Sequence, residues 1–261
     1  MDILKQPKVA LIDIDSMFYV FAATDKDIAR CKNNIKAFIS RTIDKTSASE
    51  GYVFMKGSSN FRTEAVPDYK GHRKNSVPEA TINMVRELEE FTKEFALTAD
   101  GCEADDLCGI YSNVCLKEGK LPIICHIDKD LNQIPGLHYN YRHKHEYKYK
   151  VSCEDAYQMM MRQCLSGDRT DNIKGIPSIG EVKGNALLEG LEPKDYLNKV
   201  LTSWQEKVEE DWETKFIQCA NGIIIRSDDS NLKTLTLDEI KELLTWEGPK
   251  QCYPKTLYNY T

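Results

Sequence analysis

The chain has 261 residues, enough for one large or two small domains with a proper core, and its 41% hydrophobic and 29% charged residues are the ordinary mix of a soluble globular protein. No apolar run approaches a membrane span or a signal peptide, which predicts a cytoplasmic protein with no membrane partner. A net charge of −6 is not that of a basic nucleic-acid binder, so a polyanion would have to meet local cationic patches or bound cations.

Residues 9–14 (VALIDI) read as a short buried strand ending in acid, and residues 51–55 (GYVFM) as a second. Ile82, Val85, Leu88, Phe91 and Phe95 fit one face of a helix that begins after Pro78. Residues 95–99 predict a third strand, 104–117 a helix, and 121–127 (LPIICHI) a fourth strand. Strands alternating with helices predict an α/β fold with a mainly parallel sheet, whose functional groups gather at the carboxyl ends of the strands. Residues 139–150 alternate partly and read as a β-ribbon with Tyr inward and Lys outward, or as a surface that tracks DNA. Ser152 and Asp155 cap a helix over 153–165, residues 166–184 are rich in Gly, Pro and Asp, and the remainder is helical. There, residues 204–224 carry one apolar stripe, and Thr236 with Glu239 caps a helix through Leu244. Nine cysteines, none spaced Cys-x-x-Cys, predict buried reduced thiols and no zinc site.

The acidic residues fall in clusters: Asp13 with Asp15; Glu103, Asp105 and Asp106; Asp128 with Asp130; Asp168 with Asp171. Each alone reads as a helix cap or a solvated turn. Three of the clusters follow predicted strands and would converge at one rim of the sheet, where so much negative charge is costly unless cations neutralise it. Hard oxygen ligands without a histidine cluster suit Mg²⁺ or Mn²⁺, and two such ions about 4 Å apart can activate water and stabilise a leaving oxygen in phosphodiester hydrolysis.

In order, LIDIDSMFY (11–19), FRTEAVPDYKGHRK (61–74), GCEADDL (101–107), HIDKDL (126–131) and SGDRTDNIKGIPSIGEVKG (166–184) closely resemble the flap-endonuclease and 5′→3′ exonuclease superfamily. Free-standing bacteriophage members are especially similar, which implies an infected bacterial cell as the setting. The resemblance runs from about residue 9 to 190 and implies a PIN-like nuclease domain over 1–165. It further implies a helix–hairpin–helix DNA-binding element with a helical C-terminal part over 166–261. By family pattern, Asp13, Glu103 and Asp105 would serve one Mg²⁺ ion, and Asp106, Asp128, Asp130, Asp168 and Asp171 would serve or surround the second, with a place for Asp106 between the two as the alternative. A K⁺ ion at the hairpin is also implied. The implied partner is duplex DNA with a 5′ end or a 5′ flap, and an RNA–DNA hybrid if the enzyme removes primers.

Members of the superfamily usually carry an aspartate six residues before the aromatic of the FR motif, and Met55 stands there. Thioether sulfur is a poor ligand for Mg²⁺, and Asp15, near Asp13, is the substitute candidate. A catalytically weak DNA-structure-binding protein on the same fold is the competing reading; a PIN-like ribonuclease would leave the GIPSIG hairpin unexplained.

Arg62, Tyr69, Lys70, His72, Arg73 and Lys74 lie in one short segment, which by itself reads as a solvated basic loop. The family analogy makes Lys70 and Arg73 the cations that meet the scissile phosphate, Tyr69 a stacking platform for an unpaired base, and Arg62 and Lys74 DNA contacts. Lys174, Gly175, Ile176, Gly180 and Lys183, around the hairpin, are the duplex contacts, with glycines letting the backbone approach a phosphate.

Overall fold

The computed structural model describes residues 6–71, 77–142, 147–208 and 210–248. An unbroken apolar run makes β1 (Lys8–Asp13) a strand covered on both faces, and it runs straight into α1 (Asp15–Thr24). Asp27 caps α2 (Ile28–Thr46) through Ala29 and Arg30, and Cys31, Ile35, Phe38 and Thr42 bury one face of it. Then come β2 (Glu50–Asn60), a single turn α3 (Arg62–Ala65), α4 (Glu79–Thr92), β3 (Leu97–Gly101), α5 (Ala104–Lys117) and β4 (Leu121–His126). A 3-10 turn (Lys129–Gln133) leads to β5 (Gly136–Asn140) and β6 (Tyr147–Val151).

The sheet order is β3-β2-β1-β4-β5-β6, parallel throughout except for β6, which pairs antiparallel to β5. Alternation along the central strands sorts the core into two layers. Ala10, Ile12, Val53, Met55 and Ile123 pack against α1, α2 and α4, while Val9, Leu11, Phe54 and Ile124 pack against α5 and the 3-10 turn.

The rest of the chain is helical around its own apolar cluster. It comprises α6 (Cys153–Ser166), the two-residue strands β7 (Gly167–Asp168) and β8 (Ile173–Lys174), α7 (Glu181–Leu188), α8 (Pro193–Val208), α9 (Trp212–Ile223) and α10 (Leu237–Leu243). Met161, Cys164 and Leu165 of α6 share that cluster with Ile173, Trp204, Phe216 and Ile240, so α6 joins the sheet to the helical part. Among the described residues eight cysteines are free and buried, and no helix is long and apolar enough to cross a membrane.

Four stretches differ from the sequence expectation. Helices α1 and α2 fill a stretch to which no element was assigned. β2 continues five residues past Met55, to Asn60. α4 closes at Thr92, and Phe95, 41% exposed, lies in a turn before β3 rather than on the helix face or in the strand. The stripe over 204–224 is two helices, because Trp204 ends up near the close of α8 and Trp212 opens α9.

Candidate active site

β1 lies between β2 and β4, and the chain winds away from it in both directions, so a crevice opens beyond its carboxyl end. A cleft of about 680 Å³ occupies that position, and eight acidic side chains line it: Asp13, Asp15, Glu103, Asp105, Asp128, Asp130, Asp168 and Asp171. Asp13 ends β1 and Asp15 opens α1; Glu103 and Asp105 come from the start of α5; Asp128 and Asp130 follow β4; Asp168 and Asp171 belong to the β7–β8 hairpin. Four separate chain segments thus bring carboxylates to one place.

Local hydrogen bonds hold several of these groups. Asp13 Oδ1 accepts from Asp15 N at 3.2 Å, and the Tyr141 hydroxyl donates to the Asp13 carbonyl at 2.5 Å. Both oxygens of Asp15 accept from Lys56 N at 3.1 Å. Asp128 Oδ1 accepts from Asp130 N at 2.9 Å, and Gln163 Nε2 of α6 donates to Asp130 Oδ1 at 2.9 Å. The electrostatic consequence is a set of acids that resist ionisation. Burial, reinforced by Asp15, Asp128 and Glu103, pushes Asp13 up to about 8. Burial also raises Asp15 to about 6 and, with the charges of Asp128 and Asp168, Asp130 to about 7; Asp105 rises well above the carboxylate range for the same reasons.

This donor set fits hard divalent cations. Cations would relieve the repulsion that lifts these acids, and the cleft offers carboxylate oxygen with no histidine among its lining residues. Among the described residues no three Asp, Glu, His or Cys side chains stand close enough together to hold a metal ion among them. Mg²⁺ asks for less, since it keeps several waters and takes only one or two carboxylates directly.

Asp106 departs from its expected place as a metal ligand. It is fully buried, and its oxygens receive Arg62 Nη1 at 2.6 Å, Arg62 Nη2 at 2.9 Å, Arg226 N at 2.8 Å and Glu103 N at 3.0 Å. Burial would raise its pKa, but the Arg62 guanidinium and these bonds hold it below the usual carboxylate range. Arg62 likewise is no DNA contact: it is 2% exposed and also donates to the Gly222 carbonyl at 3.0 Å and the Ile224 carbonyl at 2.9 Å. Together Arg62 and Asp106 tie the end of α9 to the start of α5.

Tyr69 is not a free stacking platform. Its ring packs against the helical cluster, and its hydroxyl donates to Glu103 Oε2 at 3.0 Å and Asp171 Oδ2 at 3.3 Å. Burial and the Glu103 charge push its pKa far up. Lys70, in the left-handed region at φ 56°, pairs with Glu103 and reaches Asp171 at 3.5 Å, while its N–H donates to the Asp171 carbonyl at 2.9 Å. His72, Arg73 and Lys74 lie outside the described residues.

At the hairpin, Ile176 is buried in the helical cluster and its N–H is taken by the Leu165 carbonyl at 2.8 Å, so it offers no donor to a phosphate. Gly175 answers an internal need: a Cβ there would meet Ser166 C at 2.2 Å and Gly167 N at 2.3 Å. Gly180 differs, since a Cβ would meet nothing within 4 Å. Lys174 and Lys183 are exposed. Sequence reasoning passed over Lys56, Gln163 and Arg226, which brace Asp15, Asp130 and Asp106; only their tertiary neighbours mark them.

Residues 8–161 match the family model described as 5′-3′ exonuclease, N-terminal resolvase-like domain. A 5′-3′ exonuclease of Buchnera aphidicola is 30% identical over 138 residues, 49% of this chain and 48% of that protein, so the chain matches about half of its length. A 5′-3′ exonuclease of Mycoplasma genitalium is 27% identical over 208 residues, 70% of this chain and 72% of that one. The fold is shared with a bacteriophage T5 flap endonuclease solved with DNA and metal ions, at TM-score 0.61 and 15% identity over 91% of this chain and 97% of that one.

Proposed function

The chain belongs to the 5′-3′ exonuclease family, and on that premise we propose that it is a divalent-metal-dependent nuclease acting near the 5′ ends of duplex DNA. The observation that carries the reading is the convergence of eight carboxylates and Lys70 on one cleft beyond the end of β1. Asp13, Asp15, Glu103 and Asp105 would hold one Mg²⁺ ion, and Asp128, Asp130, Asp168 and Asp171 the other, with Mn²⁺ as a substitute. When bound, such ions neutralise the carboxylates, polarise the phosphoryl group and lower the pKa of water.

The chain's own groups do the positioning. Lys70 brings an ammonium into the cleft, where a phosphate's non-bridging oxygens would meet it, and Arg73 would add a second cation. The Tyr69 hydroxyl stands between Glu103 and Asp171, at 3.0 Å and 3.3 Å, and so keeps the two carboxylates near each other. Duplex DNA would rest on the α6–hairpin–α7 element, with Lys174 and Lys183 on its phosphates and Gly180 leaving room for backbone approach. A K⁺ ion on the hairpin carbonyls belongs to the same reading. So do 5′-flap cutting and cleavage of RNA in a hybrid, as further substrates of one cleft.

The geometry favours an open end over a threaded strand. α4 packs through Val85 and Leu88 into the core layer beneath β2, so only residues 71–78 separate Lys70 from it. Fully extended, that stretch spans roughly 27 Å.

The test is cleavage of a 5′-labelled duplex and a 5′ flap with Mg²⁺ or EDTA, beside the Asp171→Asn variant. Magnesium-dependent cutting that the variant loses supports the nuclease, and product lengths choose between exonuclease and flap cutting. Tight binding without cutting would favour the DNA-structure-binding alternative, which the buried Met55 motivates.

A further inference from the structure

β5 and the edge strand β6 contribute none of the residues found lining the acidic cleft, yet they help form an uncommon group of buried polar side chains. His126 ends β4, two residues before Asp128, and its Nδ1 lies against the Asp128 carbonyl. His126 Nε2 faces His138 Nδ1 of β5 at 2.8 Å, and His138 Nε2 lies 2.8 Å from the Ile134 carbonyl. From β6, the Tyr149 hydroxyl donates to Asn132 Oδ1 at 2.7 Å and lies 3.2 Å from His126 Nε2. Both histidines are buried.

A carbonyl only accepts, so His126 carries hydrogen on Nδ1 and His138 on Nε2. Closing the contact between the two inner nitrogens takes one further shared proton, whereas burial pushes His126 down to about 4 and His138 to about 3. The outer bonds are the same in either case.

Those outer bonds grip both ends of the segment that carries Asp128 and Asp130. His126 holds residue 128 where the segment begins, Tyr149 holds Asn132 in its middle, and His138 holds residue 134 where it ends. From the other side Gln163 holds Asp130, and Gln133 bonds Gln163 at 2.8 Å and the Ile223 carbonyl at 2.9 Å. Without those bonds a turn carrying two carboxylates into an acidic cleft would be free to swing outward and separate them.

We propose that His138 and Tyr149 are positioning residues for the Asp128–Asp130 half of the cleft, His138 acting through the Ile134 carbonyl and Tyr149 through Asn132. The inference rests on the reading of that half as a divalent-cation site. It makes the β5–β6 edge part of the catalytic apparatus, not only the border of the sheet.

The test measures the Mn²⁺ binding midpoint of the full chain by isothermal titration calorimetry, with its melting temperature in Mn²⁺ and kcat and KM on labelled duplex alongside. His138→Leu removes the donor to Ile134, while His138→Gln keeps an amide N–H where Nε2 stood. Tyr149→Phe deletes one hydroxyl and preserves the ring packing. We expect the Mn²⁺ midpoint to rise about tenfold in His138→Leu and by a smaller factor in Tyr149→Phe, with recovery in His138→Gln, and kcat to fall while KM holds. Unchanged midpoints in folded His138→Leu and Tyr149→Phe would overturn the proposal, as would His138→Gln behaving like His138→Leu. A wild-type chain whose melting ignores Mn²⁺ would instead overturn the cation-site reading, a failure visible before any variant is made.

Discussion

Replacing Arg62 by Met tests whether the arginine of the FR pair is structural. The side chain is 2% exposed, and four of its hydrogen bonds would go: two to Asp106, one to Gly222 and one to Ile224. It also stacks over Phe61, with the guanidinium 4.6 Å from the ring centre. Met keeps much of the apolar stem, so the main loss is electrostatic: Asp106 stays fully buried with two backbone N–H donors and without its directly bonded counter-ion, leaving only the Arg226 guanidinium nearby. Breaking one side of a buried pair costs about 3–5 kcal/mol. For a chain of this length that is a fall in melting temperature of roughly 6–20 °C. The double variant Arg62→Met with Asp106→Leu should regain part of the loss, because the stranded carboxylate goes with its partner, and only part, because the buried Arg226 guanidinium then loses its carboxylate neighbour. Differential scanning calorimetry gives the stability, and DNA affinity against salt gives the number of phosphates neutralised. The salt slope should match wild type, since each lost phosphate contact would lower it by about 0.9. A variant with wild-type melting and a slope lower by about one unit would refute the structural role and return Arg62 to the DNA surface.

Two further outcomes follow from the same geometry. Asp13 and Asp130 have raised folded-state pKa values, so their contribution to stability is complete below about pH 4 and is lost as pH rises through about 7 to 8, and Asp105, also raised, acts in the same direction. The buried histidines act oppositely, losing stability as pH falls below about 6.5, so the window to use is pH 6.5–8.5. There the EDTA-treated chain should melt lower as pH rises, and millimolar Mg²⁺ should flatten the curve; a rising melting temperature in EDTA would contradict the clustered acids. At the hairpin, Gly175→Ala should destabilise the fold, because its Cβ would fall 2.2 Å from backbone. Gly180→Ala should leave melting unchanged and weaken duplex binding, as titrations with a labelled duplex would read.

The central strands were legible because a buried parallel sheet writes itself as apolar runs, and α5 because Glu103 and Lys117 bracket a clean helical period. The convergence of the acidic clusters was legible for a related reason: acids directly after successive parallel strands share one edge. What the sequence hid depended on partners distant along the chain. Asp106 and Asp105 are adjacent in one acidic run, and only Arg62, 44 residues away, makes the first a buried ion-pair partner while the second faces the cleft. Likewise Tyr69 reads as an aromatic among cations until folding places Glu103 and Asp171 beside its hydroxyl. α2 was legible and missed: Asp27 as cap and Cys31, Ile35, Phe38 and Thr42 at helical spacing mark it.

Met55 and Asp15 bring these strands of reasoning together. Alternation along β2 turns Phe54 toward α5 and Met55 toward α1 and α2, where it is 1% exposed among Ile12, Ile14 and Phe18. β2 therefore ends at the cleft without an acid of its own. Asp15, from the first turn of α1, reaches across and sets both oxygens on Lys56 N, one residue beyond Met55. Its cost is visible: burial and the charges of Glu89 and Glu103 raise it to about 6 despite that bond and the nearby Lys56 ammonium. A group kept only to cap β2 would do as well uncharged, since an amide oxygen also accepts from Lys56 N. Asp15→Asn should accordingly melt as high as wild type or higher in EDTA, through relief of repulsion with Asp13, while the Mg²⁺ binding midpoint, read by calorimetric titration, rises about tenfold. Lower melting in EDTA with an unchanged Mg²⁺ midpoint would make Asp15 a cap and leave the first cation to Asp13, Glu103 and Asp105.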